Sequence, residues 1–372
     1  MLVHPSGDLE PAVCGLAARM IRVGHDDRRT PGVYSSRMSS ARATASRSLL
    51  PAWASRWFSI AVLVLAGACD PASGATVDAG TDAPRLDTGP RIRDAGGPGD
   101  SGAHCDLDAG PSPVITACNG HAELCDRAYD DVAIVMTHNA MSSAEDGFSF
   151  PNQERRLWRQ LEDGVRGFML DVHVEDGAVL LCHGPCALGR RPFVEGLRDL
   201  RVFLECNPGE VVTIVLESYA TEAQIETAFV ESGLAGYLHA QPIGDPWPTL
   251  REMITAGRRV VVFTADSART LPWHHFSYDY AWENPYAADT PAALSCAEDR
   301  GSRTRSLWIF NHFLTAPLAS RPLAEMINHD PFFSDRVATC RTDAGSDLPN
   351  FVTVDFYDIG DVFSVVDALN GF

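Results

Sequence analysis

Short apolar runs alternate with amphipathic stretches along the chain from residue 118 onward. Many runs are almost uninterrupted Val, Ile, Leu and Phe, as in EVVTIVL at 210–216. Strands of this kind are buried on both faces, so their alternation with helices predicts a parallel sheet that helices cover on both sides. The eight predicted strands are residues 132–137, 166–172, 178–182, 210–216, 258–264, 278–283, 306–311 and 350–356.

The amphipathic stretches between these runs predict helices, and Asn-Pro-Gly-Glu at 207–210 predicts a helix end followed directly by a strand. Eight strands over about 240 residues fit a TIM-type (β/α)8 barrel within residues 118–372. An open doubly wound sheet is the alternative, which the absence of a Gly-rich phosphate loop after any strand disfavours. The predicted helices are 153–163, 193–206, 221–232, 247–256 and 318–328.

A twelve-residue apolar run, Trp57–Ala68, stands apart from the predicted barrel. It is too short to span a bilayer comfortably, and its order of basic, apolar and small residues is that of a secretory signal. We assign residues 38–69 to this signal, with Met38 as its start, because residues 1–37 fit no signal pattern. The arginines that precede the run are Arg42, Arg47 and Arg56.

The apolar run closes on Ala-Gly-Ala-Cys at 66–69, which resembles the lipobox of bacterial lipoproteins. We therefore expect an exported protein with a lipid anchor on Cys69 that holds it at a membrane. An ordinary cleaved signal, which would give a secreted protein, is the alternative. Residues 70–117 are rich in Asp, Ala, Gly, Pro and Thr, a composition that predicts a flexible acidic tether.

Composition narrows the classes of partner. Beyond residue 69 the chain has 22 arginines against 45 acidic residues, a net charge of −23, which disfavours nucleic acid and anionic lipid surfaces as electrostatic partners. The chain has no lysine, so a lysine nucleophile or a lysine phosphate clamp is excluded. Eight cysteines follow Cys69, and an even number in an exported chain predicts disulfides. The chain has no CxxC pair, so a metal site with thiolate ligands is disfavoured.

Polar and titratable residues gather where the predicted strands end. Chemistry in a barrel lies at the carboxyl ends of its strands, so these residues would line one mouth. Each alone has a plainer explanation, a structural histidine or a helix cap for the acids, but burying many titratable groups together is costly without a function. The residues are His138, Asn139, Asp171, His173, His183, Glu217, Glu283, Asn311, His312 and Asp355.

Two histidines beside acidic residues suit acid–base cleavage of a phosphodiester. One imidazole would take the proton of the attacking hydroxyl, and the other would protonate the leaving oxygen. The acids would hold a divalent cation through oxygen ligands. A serine hydrolase is disfavoured, because the chain has no GxSxG motif.

Several segments resemble the X-domain of phosphatidylinositol-specific phospholipase C, and most of all its secreted single-domain members. They include THNA at 137–140, NQERRLWRQLEDGVRGFMLDVH at 152–173, LLCHGPC at 180–186 and FLECNPGEVVTIVLES at 203–218. The likeness runs from about residue 118 to the end of the chain. It implies an incomplete, distorted TIM-type barrel and a phosphoric diester hydrolase that cuts the glycerol–phosphate bond of phosphoinositides.

The resemblance also implies roles for single residues. His138 and His183 match the two catalytic histidines of the family, and Asp355 matches the acid that orients the first. The inositol 2-hydroxyl would be the internal nucleophile, and the product a cyclic inositol phosphate. Disulfides are implied between Cys296 and Cys340 and suggested between Cys182 and Cys186, on either side of His183. Arg166, Arg190 and Arg191 are candidates for binding the phosphate or headgroup, although the last two would equally suit a solvent-facing loop.

Calcium-dependent members bind calcium through an amide and three acids, and three of these positions are matched here. Asn139, Asp171 and Glu217 are the expected ligands, while Met169 stands where the family has a glutamate. The calcium-independent members have an arginine where Asp171 stands, so that route to phosphate neutralisation is missing here too. We therefore expect a divalent cation, calcium first, with Met169 weakening its site.

Two other functions compete with a phosphoinositide-type phosphodiesterase. The first is a metal-dependent enzyme for glycerophosphodiesters or sphingolipid headgroups, which the Met-Leu-Asp sequence at 169–171 disfavours because such enzymes keep a Glu-x-Asp pair there. The second is a catalytically silent surface lipoprotein that binds a headgroup or a glycan. The loss of the glutamate at Met169 supports this second alternative, and the retention of both histidines and Asp355 opposes it.

Overall fold

The structure is a computed structural model that describes residues 114–372, apart from 268, 316 and 346. The predicted signal, the lipobox cysteine Cys69 and the tether as far as residue 113 lie outside these residues. In the described part of the chain, no helix is long and apolar enough to cross a membrane.

Eight parallel strands form a curled wall in the order β7-β6-β5-β2-β1-β10-β9-β8. The two edge strands, β7 and β8, do not pair with each other in the described part of the chain, so the barrel is incompletely closed, as expected. The ten strands are β1 Ile134–Thr137, β2 Gly167–Glu175, β3 Ala178–Leu181, β4 Arg191–Pro192, β5 Val212–Ser218, β6 Val260–Thr264, β7 His274–Phe276, β8 Ala281–Glu283, β9 Leu307–Asn311 and β10 Phe351–Val354.

Seven of the eight predicted strands belong to this wall, and the one at 178–182 does not. That segment forms β3, which turns back on β2 as an antiparallel hairpin and pairs in turn with β4. The turn is Asp176-Gly177, where both residues have positive φ, and Asp-Gly is a strong signal for such a hairpin. The eighth wall strand is β7, which the sequence pattern missed because it has three residues and two are histidines.

All five predicted helices are present, and three further helices, α5, α7 and α8, were not predicted; α5 occupies the start of the segment 278–283 that was predicted as a strand. Capping explains where α3 begins, because Thr221 and Gln224 form a capping box there, and Gly233 ends it with a φ of +80°. The helices are α1 Leu157–Glu162, α2 Phe193–Cys206, α3 Glu222–Ser232, α4 Leu250–Thr255, α5 Ser277–Tyr280, α6 Arg321–Ile327, α7 Phe332–Asp343 and α8 Val362–Asn370.

The strands divide their side chains between two apolar layers. On β2, Phe168 and Leu170 pack outward against the helices, whereas Met169 packs inward. Successive residues of a strand point to opposite faces, so Asp171 lies on the same inward face as Met169, nearer the carboxyl end. The barrel interior is therefore apolar towards the amino ends of the strands and polar at the mouth, where their carboxyl ends lie.

Three disulfides lie between described cysteines, and Cys206 is disulfide-bonded as well. They confirm the pairs Cys182–Cys186 and Cys296–Cys340, and they add Cys118–Cys125. The Cys296–Cys340 bridge joins the connection after β8 to α7, across a sequence separation of 44 residues.

Removal of the Cys296–Cys340 bridge should destabilise the protein more than removal of the short bridge beside His183. On chain entropy, a loop of 44 residues corresponds to about 4 kcal/mol and a loop of 4 residues to about 2 kcal/mol. We expect the double variant Cys296→Ala/Cys340→Ala to lose more unfolding free energy in urea than Cys182→Ala/Cys186→Ala. Equal losses would show that loop entropy does not set the stability of this fold.

Candidate active site

The mouth is built from four neighbouring strands and one hairpin. The carboxyl ends of β10, β1, β2 and β5 present Asp355, His138, Asp171 and Glu217 on one side of the wall. His183 arrives differently, because β3 runs antiparallel to β2 and returns the chain to the level of Asp171. There the backbone N–H of Cys182, the neighbour of His183, donates to the carbonyl of Asp171 at 3.3 Å.

Asp355 fixes the ring of His138. The Nδ1–H of His138 donates to Oδ1 of Asp355 at 3.0 Å, and Asp355 is only 3% exposed. Asn152 donates its Nδ2–H to the same carboxylate oxygen, also at 3.0 Å. A carboxylate on Nδ1 selects the tautomer that leaves Nε2 unprotonated, so Nε2 of His138 is the basic atom turned towards the mouth.

Asn152 and Gln153 connect the loop after β1 to β10, a function that sequence reasoning did not assign to them. Gln153 donates from Nε2 to the carbonyls of His138 (2.8 Å) and Val354 (3.1 Å). The carbonyl of Asn152 accepts the N–H of Phe356 at 2.8 Å. Both residues lie inside the NQERRLW segment, whose likeness to the family was the only signal that could have indicated them.

Asn139 lies between the two histidines. Its φ of +45° is a left-handed conformation that asparagine tolerates better than most residues. In one orientation its Nδ2 lies 3.1 Å from Nε2 of His138 and 3.2 Å from Nε2 of His183, and its oxygen faces Asp171. In the other, Nδ2 donates to both Asp171 carboxylate oxygens at 3.2 Å, and the oxygen lies 3.1 Å from Nε2 of His138 and 3.2 Å from Nε2 of His183. Either way, both imidazole Nε2 atoms converge on one amide.

Burial and the neighbouring Glu217 raise the pKa of Asp171 well above its ordinary value. Asp171 and Glu217 are paired in register across β2 and β5, and the Tyr219 hydroxyl donates to Glu217 at 2.5 Å. Two carboxylates that repel each other at close range would be stabilised by a shared cation.

The expected cation ligands Asn139, Asp171 and Glu217 meet at this point of the mouth. A cation would draw the amide oxygen of Asn139 towards the two Asp171 oxygens, whereas without a cation the opposite orientation satisfies both ends of the amide. The donor set therefore fits calcium, but with two carboxylates only. Among the described residues, no three His, Cys, Asp or Glu side chains lie together as a metal site, which agrees with a set of only two carboxylates and one amide. Met169 packs into the barrel interior and offers a thioether, which is a poor ligand for such an ion.

The three arginines predicted to bind substrate are each paired with a carboxylate. Arg166 precedes β2 at the amino end of the barrel and donates to Glu210 at 2.7 Å, so the structure does not bring it to the mouth. The other two follow the His183 loop and are engaged there: Arg190 with Glu175 at 2.7 Å and Arg191 with Asp199 at 2.6 Å.

The remaining polar strand ends have structural partners. Glu283 is buried against Arg300 and accepts from Tyr278 at 2.9 Å. His312 is fully buried and accepts a hydrogen bond from Arg336, so the plainer explanation of a structural histidine holds for it. His173 stacks on Tyr219, with 4.5 Å between ring centroids.

Solved structures with a similar fold include two of the phosphatidylinositol-specific phospholipase C from Staphylococcus aureus. One, a mutant enzyme, is 15% identical, with 66% of this chain and 95% of that chain covered and a TM-score of 0.45. The second, described as concerning modulation of membrane binding, is 15% identical, with 66% and 94% covered and a TM-score of 0.47.

Curated relatives give a higher identity. An Arabidopsis thaliana PI-PLC X domain-containing protein is 32% identical over 263 residues, which are 64% of this chain and 61% of the relative. The chain thus spans less than two thirds of that relative. PI-PLC X domain-containing protein 1 of Arthroderma benhamiae is 30% identical over 71% of this chain and 93% of its own length. The PI-PLC X family model matches residues 124–370. The chain therefore belongs to the PI-PLC X family.

Proposed function

We propose that the protein is an exported phosphodiesterase that cleaves a phosphoinositide-type lipid or a related phosphodiester by acid–base catalysis. The observation that carries this proposal is the convergence of Nε2 of His138 and Nε2 of His183 on the Asn139 amide, with Asp355 behind the first ring. Two imidazoles whose free nitrogens face one small space can exchange protons with a single bound group.

The proposed reaction moves two protons. Nε2 of His138 takes the proton of a substrate hydroxyl as its oxygen attacks phosphorus, and Asp355 stabilises the imidazolium that results. The phosphorus–oxygen bond to the glycerol side breaks, and His183, which the bound anionic phosphate would keep as imidazolium, delivers a proton to that oxygen. The products are a cyclic phosphate and a diglyceride, and both imidazoles regain their starting states when a water molecule opens the ring.

Asn139, Asp171 and Glu217 are the residues that would hold a divalent cation, with calcium as the first candidate. Bound there, calcium would supply positive charge to offset that of the phosphate. Without a cation, the negative charges of Asp171 and Glu217 would repel an anionic substrate. The cation is therefore part of the proposal and carries its own test below.

Exposed apolar side chains around the mouth support a lipid substrate. Phe150, Leu188, Tyr219 and Tyr286 are 60%, 40%, 55% and 44% exposed, and they follow β1, β3, β5 and β8 respectively. The first two belong to one surface, because the N–H of Ser149 donates to the carbonyl of Leu188 at 2.6 Å. Such a rim would contact the acyl side of a membrane while a headgroup enters the mouth. The anchor on Cys69 remains a prediction of the sequence.

Export is part of the same proposal. Disulfides persist in oxidising compartments, and this domain has several. A third relative, from Arthroderma benhamiae and 27% identical over 70% of this chain, is described as an uncharacterized secreted protein. These observations support a location outside the cytoplasm.

One observation favours a silent headgroup-binding protein as the second candidate. Met169 removes an oxygen ligand from the cation set, and a mouth that binds a headgroup without cleaving it would still keep its polar lining. The two functions differ in product formation, so the same lipid panel separates them.

The function is tested by incubating the protein with phosphatidylinositol, phosphatidylcholine, sphingomyelin and glycerophosphocholine, with calcium or with a chelator. We expect phosphorus NMR to show a cyclic phosphate from the inositol lipid. His138→Gln and His183→Gln should each fold and lose on the order of 10²–10⁴-fold in turnover, the usual contribution of a positioned proton-transfer group. The double variant should be little worse than either, because the two residues act as a unit.

His173→Gln is the matched control, since His173 is a histidine on β2 beyond Asp171 that transfers no proton in the proposed reaction. It should lose far less activity than the other two variants. Vesicle binding without any product would favour the silent headgroup-binding protein. A fully active His138→Gln variant would rule out acid–base catalysis by this pair.

The pH dependence of stability should report the unusual environment of His183. Burial, and secondly the nearby His138, lower the pKa of His183 from 6.5 to about 4. Between these values the unfolded chain binds the proton and the folded protein does not, so His183 lowers stability as the pH falls from 6.5 towards 4. In the presence of a chelator, His183→Gln should show a shallower loss of unfolding free energy over this window, by at most about 1.4 kcal/mol per pH unit. Parallel curves would mean that His183 titrates normally.

Calcium should raise the melting temperature in a concentration-dependent manner, because an ion that binds only the folded state stabilises it. Asp171→Asn should abolish the increase, since it removes a carboxylate from the set. Glu175→Gln, on the same strand but paired with Arg190, should keep it. A full response in Asp171→Asn would place the calcium elsewhere on the protein.

A further inference from the structure

The ring of Phe313 covers one face of His138. The two rings are nearly parallel, with 9° between their planes and 3.9 Å between their centroids. Phe313 is 3% exposed, and it follows β9 immediately beyond the polar pair Asn311 and His312. Phe313 is apolar, so the pattern of titratable side chains at strand ends does not include it.

Phe313 restrains a motion of His138 that the hydrogen bonds do not. The contacts of Nδ1 with Asp355 and of Nε2 with Asn139 hold two atoms of the imidazole, but the ring can still tilt about the line that joins them. The side-chain torsion that carries an imidazole ring has broad minima, so small tilts cost little by themselves. A parallel aromatic ring against the face opposes the tilt and keeps Nε2 directed towards Asn139.

The segment that carries Phe313 is itself tightly held. His312, its neighbour, accepts from Arg336 at 2.9 Å, and its Nε2–H donates to the carbonyl of Ile327 at 3.0 Å. Its ring stacks on Phe333, with 3.8 Å between centroids and 2° between planes. Arg336 also donates to the carbonyl of Asn311 at 3.1 Å. The backbone on which Phe313 sits is therefore fixed from α7 and from the end of α6.

We propose that Phe313 is a positioning residue that holds the His138 imidazole in its productive orientation. The proposal rests on the proposed function, in which His138 takes a proton from the substrate. Phe313 has no proton to give, and its contribution is confined to the direction in which Nε2 of His138 points. A residue that only filled space would be replaced equally well by an aliphatic side chain.

The test compares Phe313→Leu, which keeps an apolar side chain but removes the ring, with Phe313→Tyr, which keeps the ring. We expect Phe313→Leu to lose on the order of 10- to 10²-fold in kcat with little change in KM, as misplacement of a reacting group does. Phe313→Tyr should retain most of the activity. Melting temperatures establish that each variant is folded.

A spectroscopic measurement makes the test independent of turnover. In a nitrogen–proton NMR spectrum at one fixed pH with chelator, the Nε2 signal of His138, assigned by its loss in His138→Gln, should lie in the range of an unprotonated imidazole nitrogen, which depends on the tautomer that Asp355 selects and very little on ring current. It should move in Phe313→Leu and remain near its original position in Phe313→Tyr. If no substrate is cleaved by the wild type, the proposed function fails, and this signal still decides whether Phe313 orients the ring.

Phe229→Leu is the matched control, because it removes a fully buried ring of α3 that packs on Phe193 and Trp273 and takes no part in holding His138 or Phe313. It should lower stability and leave both kcat and the His138 signal unchanged. The proposal is overturned if Phe313→Leu retains its kcat and its His138 signal. It is equally overturned if Phe229→Leu produces the same losses, since the effect would then come from a general loss of core packing.

Discussion

The hydrogen bond between His138 and Asp355 is the contact on which the rest of the site depends. It joins residues that are 217 positions apart in the chain and that directly follow β1 and β10. These two strands are neighbours in the wall and pair in register from Ile134 with Phe351 to Thr137 with Val354. Through this hydrogen bond, pairing of β1 with β10 sets the tautomer of the imidazole. That tautomer turns Nε2 towards Asn139, and Asn139 in turn faces His183 and Asp171. A shift of one residue in this register would turn Asp355 away from the mouth.

In the proposed reaction, the distribution of charge makes binding of the phosphate the difficult step. Asp171, Glu217 and Asp355 all lie at the mouth, and the arginines predicted to offset a phosphate are committed to carboxylates of their own. The candidates left for that charge are the imidazoles, the Asn139 amide and a bound cation. The raised pKa of Asp171 points the same way, because it shows that burial and Glu217 disfavour a second negative charge at this position when no cation is present.

The sequence predicted the parts of the structure that depend on local pattern. Buried parallel strands are continuous apolar runs, so seven of the wall strands and the polar residues at their ends could be read from the chain, including His138 and Asp355. His183 was found at the end of a segment that was predicted as a wall strand and that forms the hairpin strand β3. The Cys296–Cys340 pairing had the support of the family resemblance, because cysteine spacing alone leaves connectivity open, whereas Cys182–Cys186 was suggested by the closeness of both cysteines to His183. The barrel class followed from the alternation of strands with helices.

What the sequence did not predict depends on tertiary contacts. The segment 178–182 has the composition of a wall strand, and only its Asp-Gly turn distinguishes it as a hairpin. Arg166 stands next to a strand that leads to the site, but it lies at the opposite end of that strand. Asn152 and Phe313 act through another side chain. Neither side chain is titratable, and titratable side chains at strand ends were the signal by which the sequence indicated the site.

The open seam of the barrel does not weaken this arrangement, because of where the chemistry lies. The strands that carry the proposed catalytic and cation-binding groups, β10, β1, β2 and β5, are consecutive and hydrogen-bonded to one another in the middle of the wall. The unpaired edges, β7 and β8, are three positions or more from β1 along that order. Closure is therefore not what sets the distances between His138, Asp355 and Asp171. They depend on the register of adjacent parallel strands and on a hairpin held to β2, and both would persist if the edges moved.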